Sequence, residues 1–262
     1  MKKILLLNIL LFISGTLLFA QYPFEKYKAL RKKTFNHWIS SHDTTGSSKE
    51  LLSSTISLTG VFLNKNKCVL RAEPIKRDND TYASAAKLSI LDGSKPLQVF
   101  SIDSIYFDYF AFSIVSVADF NGDSLPDIKI TYPYMSNGLG LNFLVIYLLQ
   151  EPDGTFTEIS YTDMSGTDQT ERDMDGDGKS IAISMSLVSH NGHSYWAYNL
   201  YKFVNDSLIN VSQKFGYPIL IQSLNKPNYH VAKNIPDSVR QCYIRPTNPS
   251  WFAGKGKIII KK

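Results

Sequence analysis

The chain carries only two cysteines, Cys68 and Cys242, in 262 residues, and neither sits in a CxxC pair or a Cys/His spacing. That excludes thioredoxin-like redox chemistry and the common zinc frameworks. Charge is sparse as well, at 19% of residues, and the 15 glycines and 11 prolines follow no period, which excludes collagen-like and low-complexity classes. No GxSxG, HExxH, phosphate loop or dinucleotide fingerprint occurs, so the common hydrolase and nucleotide-binding signatures are missing. After residue 40 no stretch sustains a helical period. What remains is a chain that is 44% hydrophobic and 13% aromatic, with enough apolar surface to fold as one or two domains and too little net charge for disorder.

A long hydrophobic run occurs once. Met1-Lys2-Lys3 precedes an almost unbroken apolar stretch from Ile4 to Phe19, followed by Ala20 and Gln21. The pattern predicts a signal peptide over residues 1–20 with cleavage after Ala20; the competing reading is an uncleaved membrane anchor. No cysteine lies near that point to accept a lipid. Export to the periplasm, cell envelope or medium is therefore the expected destination, with no stable membrane span after cleavage. Loss of Lys2 and Lys3 lowers the formal charge from the +5 of the whole chain, and no dense basic cluster remains to support a nucleic-acid partner. In an oxidising compartment Cys68 and Cys242 could form one bridge or remain two separate thiols.

Residues 21–50 read as a helical or linker segment. Phe24, Tyr27, Leu30, Phe35 and Trp38 fall roughly at helical spacing, opposite Lys26, Lys28, Arg31, Lys32 and Lys33. A docked surface helix with a solvated basic face explains this, as does contact with an anionic envelope surface. From residue 51 onward the chain reads as short strands over 55–63, 67–72, 97–101, 111–118, 127–132, 142–149, 155–160, 181–188, 194–203 and 217–221, rich in Val, Ile, Thr, Tyr and Phe. Asn191-Gly192 and Asp153-Gly154 are hairpin signals. Alternation of Ile181, Ile183, Met185 and Leu187 with Ala182, Ser184 and Ser186 predicts a half-buried antiparallel strand. The fold class is all-β and antiparallel; a sandwich, a barrel and a small propeller all fit the strand count.

Two acidic loops carry the chemistry. In the first, Asp119, Asn121, Asp123 and Asp127 place side-chain oxygens at positions 1, 3, 5 and 9, with Gly122 at the tight bend and Leu125 offering a backbone carbonyl. Three carboxylates in nine residues repel one another unless a hard cation lies between them, and Ca2+ accepts six to eight oxygens in flexible geometry where Mg2+ demands a stricter octahedron. The second loop begins 54 residues later with Asp173, Asp175, Asp177 and Lys179, but Ile181 stands where a closing acid is needed. Ser180 or water would have to complete it, and its affinity for calcium would be lower.

The segment VADFNGDSLPDIKI resembles the FG-GAP/VCBS repeat of integrin-α-type β-propellers and of many exported bacterial proteins. The resemblance implies a small calcium-binding β-propeller-like domain over residues 51–262, with Asp119, Asn121, Asp123, Leu125 and Asp127 on the calcium-ligand positions. It implies protein binding, as in adhesion or inhibition, more than catalysis. A regular array of such repeats is absent.

Other candidates are weaker. His190 and His193 flank Asn191-Gly192, where polar residues at a hairpin end are ordinary and a third metal ligand is missing. The aromatic run 106–112 would suit protein or sugar contact if exposed, and core packing if it lies in a central strand. The basic C-terminal GKGKIIIKK reads as a final strand. The expectation is an exported calcium-binding module with a protein or glycan partner; a calcium-dependent hydrolase is the alternative from another class.

Overall fold

The computed structural model describes residues 22–43, 50–62, 67–75, 83–103, 105–136, 141–164, 171–205, 207–222 and 231–244. The expected signal peptide and the C-terminal strand lie outside these residues. In chain order the strands are β1 (Lys28–Ala29), β2 (Lys33–Phe35), β3 (Ile39–Asp43), β4 (Glu50–Leu58), β5 (Cys68–Ile75), β6 (Ala85–Asp92), β7 (Lys95–Asp103) and β8 (Ile114–Ala118). They continue with β9 (Asp127–Ser136), β10 (Leu141–Gln150), β11 (Phe156–Asp163), β12 (Glu171–Asp173), β13 (Ile181–His190), β14 (His193–Val204), β15 (Ser207–Asn210) and β16 (Ile219–Gln222).

Every pairing is antiparallel, and the strands form three sheets with one plan. Each sheet is a four-stranded meander, β4–β7, β8–β11 or β12–β15, and β16 adds to β14 in the third. The first strand of each meander pairs with one short strand from the N-terminal segment: β3 with β4, β2 with β8, and β1 with β12. Residues 28–43 therefore run as a strap across all three sheets in reverse order. No closed propeller forms among the described residues.

The helix expected over residues 24–38 is absent. Its apolar spacing instead delivers side chains to three successive cores: Phe24 and Tyr27 to the outer face of the third sheet, Leu30 to the core between the third and second, and Phe35 and Trp38 to the core between the second and first. Trp38 is buried, sets its ring edge-on to Phe110 and donates Nε1–H to the carbonyl of Ser113 at 2.8 Å. A spacing of three to five residues fits a helix face, and it fits equally an extended chain stepping from one sheet to the next. Tertiary pairing decides between them.

The sheets stack face to face with the second in the middle. Along β10, Leu144, Ile146 and Leu148 enter a core shared with the first sheet, while Val145, Tyr147 and Leu149 enter a core shared with the third. Burial on both faces explains why this strand reads as a continuous apolar run. The third sheet shows the same effect. Ile181 and Ile183 pack outward under Phe24 and Tyr217, yet Ala182, Ser184 and Ser186 are also buried. The half-buried strand expected there is thus buried on both faces along its first half, because its inner side chains are small enough for the middle sheet to approach.

Both hairpin signals hold. His190 pairs with His193 across Asn191 and Gly192, whose φ values of 48° and 76° suit a two-residue turn. Gly154, at φ 83°, turns the chain between β10 and β11. Besides the three short strands of the strap, three strands fall outside the segments read from the sequence: β12, β15, and β6, which opens on Ala-Ala-Lys, residues of low strand propensity. The aromatic run 106–112 is not part of a central strand. It forms a 3₁₀ helix over Phe107–Phe112 with Phe107 and Phe110 buried. Tyr106, Tyr109 and Phe112 point outward at 40%, 53% and 69% exposure, since the three-residue period of a 3₁₀ helix lines up positions i and i+3.

Candidate functional site

The two acidic loops occupy equivalent places. One joins β8 to β9 and the other joins β12 to β13, each being the first turn of its meander. The corresponding turn of the first sheet, between β4 and β5, starts Thr59-Gly60-Val61 and has no acidic pattern.

The first loop is held by its own acceptors. Asp119 Oδ1 accepts the backbone N–H groups of Gly122 (2.7 Å) and Asp123 (3.1 Å), and its Oδ2 accepts that of Ser124 (2.9 Å). Asn121 Oδ1 accepts from Asp123 N–H, and Asp123 Oδ1 accepts from Leu125 N–H at 2.7 Å. Asp127 is fully buried. Its Oδ2 accepts from Phe120 N–H at 2.8 Å and its Oδ1 from Gln150 N–H at 2.8 Å, so it clamps the loop to β10. Burial pushes its pKa up to about 7, against the lowering effect of those N–H donors. Phe120 anchors the loop from below, buried and edge-on to Tyr147. Asp119 Oδ2, Asp123 Oδ1 and Asp127 Oδ1 each accept one N–H and retain a second lone pair, so this turn network is compatible with a cation on the same side chains.

The second loop converges more tightly and closes less completely. Ligand oxygens of Asp173, Asp175 and Asp177 all lie within 4.8 Å of one another, the one such cluster of acidic, His or Cys side chains among the described residues. Asp173 accepts backbone N–H groups from Gly176 and Gly178. Two lysines already face the cluster: Lys202 Nζ lies 2.6 Å from Asp177 Oδ2 and 3.4 Å from Asp175 Oδ2, and Lys214 Nζ lies 3.0 Å from Asp175 Oδ2. The hydrogen bond from Lys202 lowers the pKa of Asp177 to about 2. Ile181, at the closing position, is buried in the core. Ser180 does not close the loop either, because its hydroxyl donates to the carbonyl of Phe120 at 2.7 Å.

That bond joins the two loops. Lys179, expected as a member of the second site, donates its N–H to Asp177 Oδ1 and lays its side chain over Gly122 of the first loop. A Cβ at Gly122 would sit 2.7 Å from Lys179 Cγ, and with φ at +80° the position favours glycine on both counts. Asp119 and Asp173, the opening acids of the two loops, line one cleft.

A buried charge cluster beneath the loops escapes the sequence reading. Glu171, fully buried at the start of β12, lies 2.6 Å from both Lys32 Nζ of the strap and Lys129 Nζ of β9, and accepts the Tyr147 hydroxyl at 2.5 Å. Burial alone would raise its pKa, but the two ammonium groups outweigh that and bring it down to about 2. This cluster ties the strap, the middle sheet and the third sheet at one point. Its one sequence signal is Lys129, a lysine set between Ile128 and Ile130.

The remaining candidates do not join the loops. His190 and His193 face each other across their hairpin without a third ligand among the described residues. Cys68 is buried and Cys242 exposed, and both are free thiols; burial pushes the Cys68 thiol up to about 12. No helix of the described residues is long and apolar enough to cross a membrane. Comparison with known protein families, with curated proteins and with solved structures returns no match.

Proposed function

We propose that the protein is an exported, calcium-stabilised module of blade-like β-sheets that binds another macromolecule, with a protein as the partner. The observation that carries this reading is the pair of acidic loops, placed identically in adjacent sheets and packed on each other, with the Asp173, Asp175 and Asp177 oxygens gathered within 4.8 Å. The calcium role is structural. An ion would neutralise the acids of each loop and hold the strand connection, and through it the neighbouring surface, in one shape. The first loop supplies Asp119, Asn121, Asp123 and Asp127 with the Leu125 carbonyl; the second supplies Asp173, Asp175 and Asp177. In the second, calcium must displace Lys202 and Lys214, so that site is the weaker. Extracellular calcium modules typically bind at roughly 10⁻⁴ to 10⁻³ M, and saturation at ten to a hundred times Kd adds about 1–3 kcal/mol of stability.

Calorimetric titration of calcium into chelator-stripped protein lacking residues 1–20 tests this. One ion per chain, lost in Asp119→Ala/Asp123→Ala, assigns the first loop alone; two ions assign both. Absence of heat and of any thermal shift at millimolar calcium refutes the proposal. A glycan partner is the second reading, supported by the outward stripe of Tyr106, Tyr109 and Phe112 on a turn braced by the buried Phe107 and Phe110. Pull-downs on polysaccharides and on envelope or secreted proteins separate the two.

A further inference from the structure

Beside the paired loops lies a cleft of about 430 Å3, lined by Lys28, Ala29 and Arg31 of the strap together with Asp119, Asp173 and Lys179. Its acids and bases differ in how far they are already engaged. The oxygens of Asp119 accept three loop N–H groups and those of Asp173 accept two. Lys28, Arg31 and Lys179 are exposed, and their side chains make no ion pair among the described residues. The cleft therefore presents three cations with no ion pair among the described residues, against two acids whose charge is turned into their own loops.

The backbone adds a second feature. Among the described residues β1 is the terminal strand of its sheet. Leu30 donates its N–H to the carbonyl of Glu171 at 3.0 Å, and Ala29 stands opposite Arg172. In an antiparallel ladder successive residues alternate between facing the partner strand and facing away, so the N–H and C=O of Ala29, itself part of the cleft lining, point away from β12. An open strand edge is a template that only another peptide backbone can use.

We propose that this cleft docks an acidic, extended segment of a protein partner, which adds to β1 as a further strand and sets its carboxylates against Lys28, Arg31 and Lys179. Alternate side chains of an extended peptide recur at roughly 7 Å, so acids at every second position share the face that meets the cations. The proposal rests on the reading of the protein as a macromolecule-binding module and needs no bound calcium.

The probe is a capped decapeptide of alternating Glu and Val, titrated by calorimetry into the protein in chelator and again in millimolar calcium. The expected result is saturable binding that weakens with salt and falls about tenfold in Lys28→Gln/Arg31→Gln, two exposed charges removed, with melting unchanged. The same peptide N-methylated at alternate nitrogens should lose binding, because strand pairing requires its N–H groups. Absence of binding, equal binding by the double variant, or equal binding of the N-methylated peptide overturns the proposal. So does tighter binding of a sulfated polysaccharide that depends on the same cations, which would make the cleft a glycan site. Peptide heat without calcium heat upholds the docking and removes the calcium reading; calcium heat without peptide heat does the reverse.

Discussion

The two acidic loops share the pattern Asp-x-Asx-Gly-Asp and the same place in adjacent sheets, yet they are held by different means. The first is closed from within: Asp127 is buried, takes N–H groups from both the loop and β10, and fixes the turn without outside help. The second has Ile181 at that position, so beyond the N–H groups accepted by Asp173 and Asp177 it is held from outside by Lys202 and Lys214. A buried acceptor fixes a loop's shape whether or not an ion is present. External ammonium groups only neutralise charge and compete with an ion for the same oxygens. The motif specifies the turn in both cases, and its surroundings decide how firmly the turn is held.

The largest expected effect is at the foot of the second loop. Glu171→Gln leaves the ammonium groups of Lys32 and Lys129 buried without their carboxylate, and urea unfolding should show a loss of about 3–5 kcal/mol. At the first loop, Asp127→Ala orphans buried N–H groups on two elements and should cost about 3 kcal/mol, with the calcium response of that loop lost as well. A variant as stable as wild type would remove the clamp that distinguishes the first loop from the second.

These two buried carboxylates also oppose each other in pH dependence. Glu171 is depressed from 4.5 to about 2, so its stabilisation is complete above pH 4.5 and is lost as pH falls toward 2. Asp127 is raised from 3.8 to about 7, so its contribution is complete below pH 3.8 and is lost as pH rises through 7. In chelator, melting temperature followed against pH should therefore decline from both sides of a maximum in the acid range. Asp127→Asn should flatten the neutral side only; loss of the acid side in that variant would contradict the assignment.

Smaller effects probe the contact between the loops. Gly122→Ala places a Cβ at φ +80° against Lys179 Cγ and should cost about 1–3 kcal/mol. Lys179→Ala should restore part of that loss in a double-mutant cycle, and strictly additive values would mean that the loops do not touch. Smallest is Lys202→Gln, which removes a competing cation from Asp177. It should raise the calcium affinity of the second loop about fivefold, worth ~1 kcal/mol, and leave the first loop unchanged in the same titration.

Much of this was legible along the chain. Strand-forming residues marked most strands, and Asn191-Gly192 marked its hairpin because few residues other than Gly and Asn accept positive φ. The acidic turns could be located to the residue, because consecutive side-chain oxygens folding back on their own N–H groups are a local event. The strap was not legible: Phe24 to Trp38 carries a spacing that a helix shares, and which pairing wins depends on three strands far away in sequence. The aromatic run misled for a similar reason. Adjacent rings are compatible with a strand or with a 3₁₀ turn, and the pocket that accepts Phe107 and Phe110 selects the turn.

Local chemistry, then, determined the β class, the hairpins and the two acidic loops, since each depends on residues within about ten positions of one another. Only the tertiary structure decided that the N-terminal segment is a three-sheet strap and that Glu171 sits between Lys32 and Lys129. It also decided that the second loop, not the first, gathers its carboxylates, and that both loops open on one basic cleft. Those features arise where separate sheets meet. Burial, charge pairing and strand edges at such junctions are properties of the packed assembly, and no stretch of sequence contains both partners.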